Sequence, residues 1–202
     1  MSVRSLLSSL LLAAVLTTAV TAAPAAAKTK VTHRSKKKRK KPLAKVATPA
    51  VCANTTLTPD AGNLEAIREA LDCLHDQVRS QHRLGTLASN RALDAAAAAH
   101  TDDMIARGYF EHETPEGGTF DQRILSAGYA RPGQGWSLGE NLIWADGDLA
   151  TPAALMDSWM SSEGHRENIL NGKFRELGLA VRLGTPSGEA GVTVSAEFGA
   201  RG

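Results

Sequence analysis

The chain has 202 residues, 43% of them hydrophobic, which suits one ordinary domain plus extensions and supplies enough apolar mass for a packed core. Its formal charge of +2 conceals a split: no acid precedes Asp60, whereas 11 of the 23 Lys and Arg lie before residue 46, leaving 12 bases against 21 acids and a net of −9. A basic arm therefore precedes an acidic domain, which excludes treating the chain as a uniform polycation or polyanion.

The first segment, MSVRSLLSSLLLAAVLTTAVTAAPAAAKTK, carries Arg4, an apolar stretch from Leu6 to Val20 and the small residues of APAAA. This is the pattern of a secretory signal peptide over residues 1–27, cut after Ala27 because a cut after Ala23 would place Pro24 first. An uncleaved membrane anchor is the alternative. The basic run behind it resists translocation, but the cleavage pattern and the cysteine pair favour export, to a secreted or surface-associated location. Residues 28–51 hold almost no large apolar side chain and no acid, and they read as a disordered linker. The run Lys36, Lys37, Lys38, Arg39, Lys40 and Lys41 matches a nuclear signal by pattern alone, against which the signal peptide argues. The run is either a polycation that holds the protein near anionic surface polymers or lipid head groups, at about 1 kcal/mol per charge, or a solvated spacer. Nucleic acid is the other polyanion it would meet, with no specific recognition expected.

Residues 52–202 form the domain. Cys52 and Cys73 are the two cysteines, and an even count in an exported chain suggests a disulfide. Closing a loop of about 20 residues contributes roughly 3 kcal/mol in the chain-entropy model. Leu64, Ile67, Leu71, Leu74 and Val78 recur at three and four residues, the spacing of an amphipathic helix. TLASNRALDAAAAAHTDDMIARG is a second helix, capped by Ser89 or Asn90 and ended by Gly108. TFDQRILSAG is a short third. In GWSLGENLIWADG, alternation puts Leu138, Glu140, Leu142 and Trp144 on one strand face. Three large apolar neighbours imply burial, and a buried carboxylate needs a partner. TPAALMDSWMSSEG is the fourth helix: Thr151 caps it, Pro152 opens it, Leu155 and Trp159 share its buried face, and Gly164 is expected to stop it. ELGLAVRL and GVTVSAEFG then alternate as strands around the turn signal GTPSGEAG. Helices flanking a few strands suggest a layered α/β/α domain.

Four polar clusters lie at the edges of these elements: YFEHETPEGG with His112, GENL with Glu140, SSEGHRENIL with Glu163, His165 and Glu167, and AAHTDDM with His100, Asp102 and Asp103. There is no HExxH, GxSxG, P-loop or paired CxxC. If HRENIL opens a helical turn, His165 sits at a helix N-terminus, where the dipole favours the neutral, metal-binding imidazole. A structural hydrogen-bonding role is the alternative. Ser161 and Ser162 read as caps or surface, and Asp102 and Asp103 as a solvated helix face.

Taken in order, QVRSQHRLGTL, AAAAAHTDDMIARGYFEHETPEGGTFDQRILSAGY, GENLIWA and LMDSWMSSEGHRENILNGKFRELGLAV resemble the bacterial branch of the CAP superfamily. That name joins cysteine-rich secretory proteins, antigen 5 and pathogenesis-related 1, and the domain is also called the SCP domain. The resemblance covers roughly Leu64 to Gly199. It implies an α+β fold, a three-layer α-β-α sandwich with a small central antiparallel sheet, and an extracellular setting. It also implies a cleft lined by two His and two acids, which in several members binds a divalent cation such as zinc. His112 matches the first His and Glu140 the first acid, paired with a His or a metal. The eukaryotic second acid falls at Ser162 here, with Glu163 one step on as the fourth candidate. The eukaryotic GHFTQ-type segment is missing, and His165 in GHRENIL is the natural substitute. The vertebrate cysteine-rich tail is also absent, which lowers the support for sterol binding.

Three functions follow. The first is a secreted binding or interaction module whose His/Glu cleft holds a divalent cation, zinc being the favoured one. The second is an extracellular hydrolase, with a metal-bound water or a His–Glu general base; the chain offers no obvious nucleophile. The third is a structural network in which Arg166 neutralises Glu140.

Overall fold

A computed structural model describes residues 51–202. The signal-peptide pattern, nearly all of the linker and the run Lys36–Lys41 lie outside the described residues. Five helices and four strands follow in order: α1 (Leu64–Gln81), β1 (Ala88–Ser89), α2 (Arg91–Arg107), α3 (Phe120–Ser126), β2 (Trp136–Ala145), α4 (Pro152–Ser161), α5 (Glu163–Ile169), β3 (Glu176–Leu183) and β4 (Val192–Arg201), with a 3-10 turn at Gly147–Ala150.

The sheet runs β1-β3-β4-β2. Its three long strands are antiparallel, as expected, but the two-residue β1 joins β3 in parallel, so the sheet as a whole is mixed. Alternation splits the sheet into two faces. Leu177, Leu179 and Val181 of β3 and Val194, Ala196 and Phe198 of β4 face Ile67 and Leu71 of α1, Leu155 and Trp159 of α4, and Ile169 of α5 in the main core. On the other face, Leu93 and Ala96 of α2, Ile124 of α3 and Tyr129 form a smaller cluster, with Leu138 packed against it. This is the three-layer α-β-α sandwich. Its second interface is unusually close at Gly178 of β3, where a Cβ would come within 2.2 Å of the Leu93 carbonyl carbon. Only glycine lets α2 lie this near the strand.

The helix boundaries follow local chemistry. Asn90 caps α2 by accepting from the Ala92 and Leu93 amides at 2.9 and 3.3 Å, and Gly108 ends it in the left-handed region at φ 68°. Thr151 caps α4 through the Ala154 amide. The predicted stop at Gly164 is displaced: α4 ends at Ser161, Ser162 is extended, and α5 begins at Glu163 with Gly164 in its first turn. The break comes two residues early because Ser162 serves as the C-cap of one helix and the N-cap of the next. Cys52 and Cys73 form the expected disulfide.

The β2 face is not buried throughout. Leu142 and Glu140 are buried, but Trp144 is 40% exposed. β2 is an edge strand, and the α3 cluster that covers Leu138 ends roughly 20 Å short of a residue six positions farther along a strand.

Candidate functional site: a histidine held by a buried carboxylate

The loop between α2 and α3 carries His112 over the sheet, and its Nδ1 lies 2.7 Å from Glu140 Oε1. Glu140 is in mid-β2 with a side chain only 1% exposed, whereas His112 is 53% exposed. One imidazole edge is therefore fixed from below and the other faces out. Arg123 of α3 completes the arrangement. One of its nitrogens donates to Glu140 Oε2 at 2.6 Å and another to the His112 carbonyl at 2.9 Å. The same guanidinium thus neutralises the carboxylate and holds the loop that brings the histidine to it. Arg166 does not fill that role; it donates to the Met160 carbonyl at 2.9 Å.

The charges follow from these contacts. Burial alone pushes the Glu140 carboxyl up. The His112 hydrogen bond and the Arg123 charge outweigh that and hold it below its ordinary range. Glu197 is the residue directly across the β2–β4 ladder from Glu140. It is wholly buried with both oxygens unpartnered. Burial, followed by the Glu140 charge, pushes it well above the ordinary carboxylate range, so the pair carries one negative charge between two acids. The Glu140 hydrogen bond raises His112. His100, buried on α2, donates from Nε2 to the Glu111 carbonyl at 3.0 Å, and burial holds it in the neutral form.

His165 arrives from the opposite layer. Asn168 of α5 donates to the Glu140 carbonyl at 3.1 Å and to Asn141 Oδ1 at 2.9 Å, while Asn141 donates to the His165 carbonyl at 3.0 Å. These bonds lace α5 onto β2. The lacing needs Gly139, since a Cβ there would lie 2.9 Å from both Asn168 Oδ1 and Phe174 Cζ. His165 is the third residue of α5. Burial and then the charge of His112 lower its pKa. Glu163 is exposed and forms no hydrogen bond or ion pair with His112, Glu140 or His165 among the described residues.

The structure pairs His112 with Glu140 and sets Arg123, Glu197 and Asn168 around them, while His165 is tied to β2 through its backbone carbonyl. Glu197 carried the same signal as Glu140, an acid inside an apolar alternation. Arg123 and Asn168 carried none. Asp102 pairs with Arg182 at 2.7 Å, Asp103 accepts from the Tyr109 hydroxyl at 2.5 Å, and exposed Ser161 bonds to the Asp157 carbonyl. No group of three or more His, Cys, Asp or Glu side chains is gathered around a common cation position among the described residues.

The family model for the cysteine-rich secretory protein (CAP) family matches residues 74–197. The chain is similar to the uncharacterized protein YkwD of Bacillus subtilis strain 168, 32% identical over 132 residues, which is 65% of this chain and 49% of that protein. It is also similar to the uncharacterized membrane protein YlbC of the same strain, 33% identical over 116 residues, 56% of this chain and 31% of that protein. The chain therefore spans about half and about a third of these relatives. A solved extracellular protein containing an SCP domain, from Bacillus anthracis, superposes with a TM-score of 0.52 at 28% identity, covering 68% of this chain and 40% of that one. An outer surface protein of Borrelia burgdorferi shares the fold, with a TM-score of 0.57 at 18% identity over 73% of this chain and 99% of that one. With the family model matched along more than half of its length and the three-layer fold in place, the chain belongs to the cysteine-rich secretory protein (CAP) family.

Proposed function

We propose that the protein is an extracellular binding module whose His112–His165 cleft takes a divalent cation, zinc first among them. One observation carries this reading. Glu140 takes up Nδ1 of His112 and leaves Nε2 as the free ligand atom on the exposed side. A carboxylate behind a histidine fixes its tautomer and raises its basicity as a ligand. In this proposal His165 would be the second imidazole ligand, with solvent completing the coordination. Both Glu140 oxygens are engaged by His112 and Arg123, so Glu140 serves as the orienting acid behind the ligand. When bound, the cation supplies a Lewis-acidic point at the cleft mouth.

A binding role fits better than turnover. No Ser, Thr or Cys hydroxyl or thiol hydrogen-bonds to His112 among the described residues, so turnover by the His–Glu pair would need water as its nucleophile. The extracellular setting rests on the signal-peptide pattern, the disulfide and the similarity to an extracellular SCP-domain protein. No helix among the described residues is long and apolar enough to cross a membrane. The basic run Lys36–Lys41 would add an attachment to anionic surface polymers or lipid head groups.

Zinc titration by calorimetry at neutral pH, on the wild type and on His112→Ala and His165→Ala, tests the cation. The expected result is saturable heat in the wild type and its loss in both variants. Absence of heat in the wild type removes the cation from the reading and leaves a hydrogen-bonded structural cluster.

A further inference from the structure

A second cleft, of about 680 Å³, opens at the Trp136–Arg201 end of the β2–β4 pair, lined by Tyr129, Arg131, Gly133, Gln134 and Arg201 among others. Trp136 lies outside the lining, at the cleft's edge: it stands directly across the ladder from the lining Arg201, so their side chains share one face of the sheet. Trp136 is 46% exposed. Arg201 is held rigidly: its guanidinium lies 4.9 Å over the Tyr129 ring, donates to the Tyr129 carbonyl at 3.3 Å and pairs with Glu176. Tyr129 and Asn90 secure Glu176 in turn, at 2.6 and 2.8 Å. The cleft wall is also preformed. Gln134 accepts from the Arg131 amide at 3.2 Å and donates to the Gly202 carbonyl at 3.2 Å. The Arg131 guanidinium is exposed and forms no ion pair among the described residues.

We infer that this cleft is a subsite for an acidic saccharide, with a sugar ring on the face of Trp136 and its carboxylate on Arg131 and the outer edge of Arg201. An exposed indole beside a polar cleft suits a ligand with one apolar face and many hydroxyls. The unpaired Arg131 guanidinium suits a carboxylate, which its fork binds in bidentate fashion, while the Arg201 fork is already taken by Glu176 and offers only its outer edge. A bare inorganic anion would leave Trp136 unused. The volume lies within the usual range for small-ligand sites. The subsite is separate from the His112 cleft, four residues or roughly 13 Å along β2 from Glu140.

Two disaccharides that differ by one acidic lactyl ether provide the test: N-acetylglucosaminyl-N-acetylmuramic acid and N,N′-diacetylchitobiose. Calorimetry on the full chain is expected to show the acidic sugar binding at least about tenfold more tightly than the neutral one. Trp136→Ala and Arg131→Gln should each weaken it by a similar factor. Both positions are solvent-exposed, and an unchanged melting temperature and zinc titration would show that the variants fold. His112→Ala should bind the sugar normally, which separates this inference from the cation reading. Three results overturn it: no binding of the acidic sugar, equal affinity for both sugars, or undiminished affinity in both variants, which would place the binding on the basic arm.

Discussion

Glu140 keeps its charge in a buried setting because two donors meet its two oxygens, His112 at 2.7 Å and Arg123 at 2.6 Å. Removing Arg123 leaves the carboxylate half-paired beside a second acid. Breaking a buried pair costs about 3 kcal/mol or more, so Arg123→Ala should lower stability by that order in urea unfolding. The histidines titrate with opposite signs. Glu140 raises His112, so its contribution is fully present below about pH 6.5 and fades as pH rises through the raised folded value. In NMR its midpoint should lie above the ordinary value and fall back in Glu140→Gln. His75 is wholly buried between Trp159 and Phe198, and burial pushes it down to about 4. Its contribution is fully present above about pH 6.5 and is lost as pH falls toward 4, on the order of 3 kcal/mol. His75→Phe keeps an aromatic ring in that gap and should flatten the acid limb of a stability–pH profile by that order.

The joint between α4 and α5 decides where His165 sits. Asn168 links α5 to β2 through the Glu140 carbonyl and Asn141. Asn168→Ala gives up two largely buried hydrogen bonds, about 1–2 kcal/mol. It should weaken zinc binding by releasing His165 while leaving the His112 midpoint in place, a combination that calorimetry and NMR read separately. Most elements were legible because their signals are local. Heptad-like spacing marked α1, Asn90 and Gly108 bracketed α2, and period-two alternation marked β2, β3 and β4. Glu140 was legible as an acid that required a partner. A histidine partner followed from the family resemblance, but Arg123 did not: it reaches Glu140 from another element across the second interface, and nothing local distinguishes that arginine from one facing solvent. The Gly164 stop was misplaced because glycine is also tolerated in a first helical turn, and Ser162 had already broken the chain direction.

For the molecule as a whole, two cores share one sheet, and α1 belongs to the larger. The Cys52–Cys73 disulfide ties the entering segment to that helix across a separation of 21 residues. Reduction should lower stability by roughly 3 kcal/mol, measured as a shift in the urea midpoint between oxidised and reduced protein. The layered architecture followed from element order and was readable; the parallel pairing of two-residue β1 with β3 was not, since so short a strand has no periodicity. The same bond also sets a route for mechanical load. Tension applied anywhere ahead of Cys52 crosses the sulfur bridge and enters α1 at Cys73, bypassing the intervening residues. The first turns of α1 are thereby shielded from peeling, and a pull on the arm acts on the middle of a helix whose Ile67 and Leu71 are anchored in the main core. Reduction would turn that shielded stretch into a slack leader that unzips from its end, so the oxidation state of one bond sets how firmly the domain resists a pull applied ahead of Cys52.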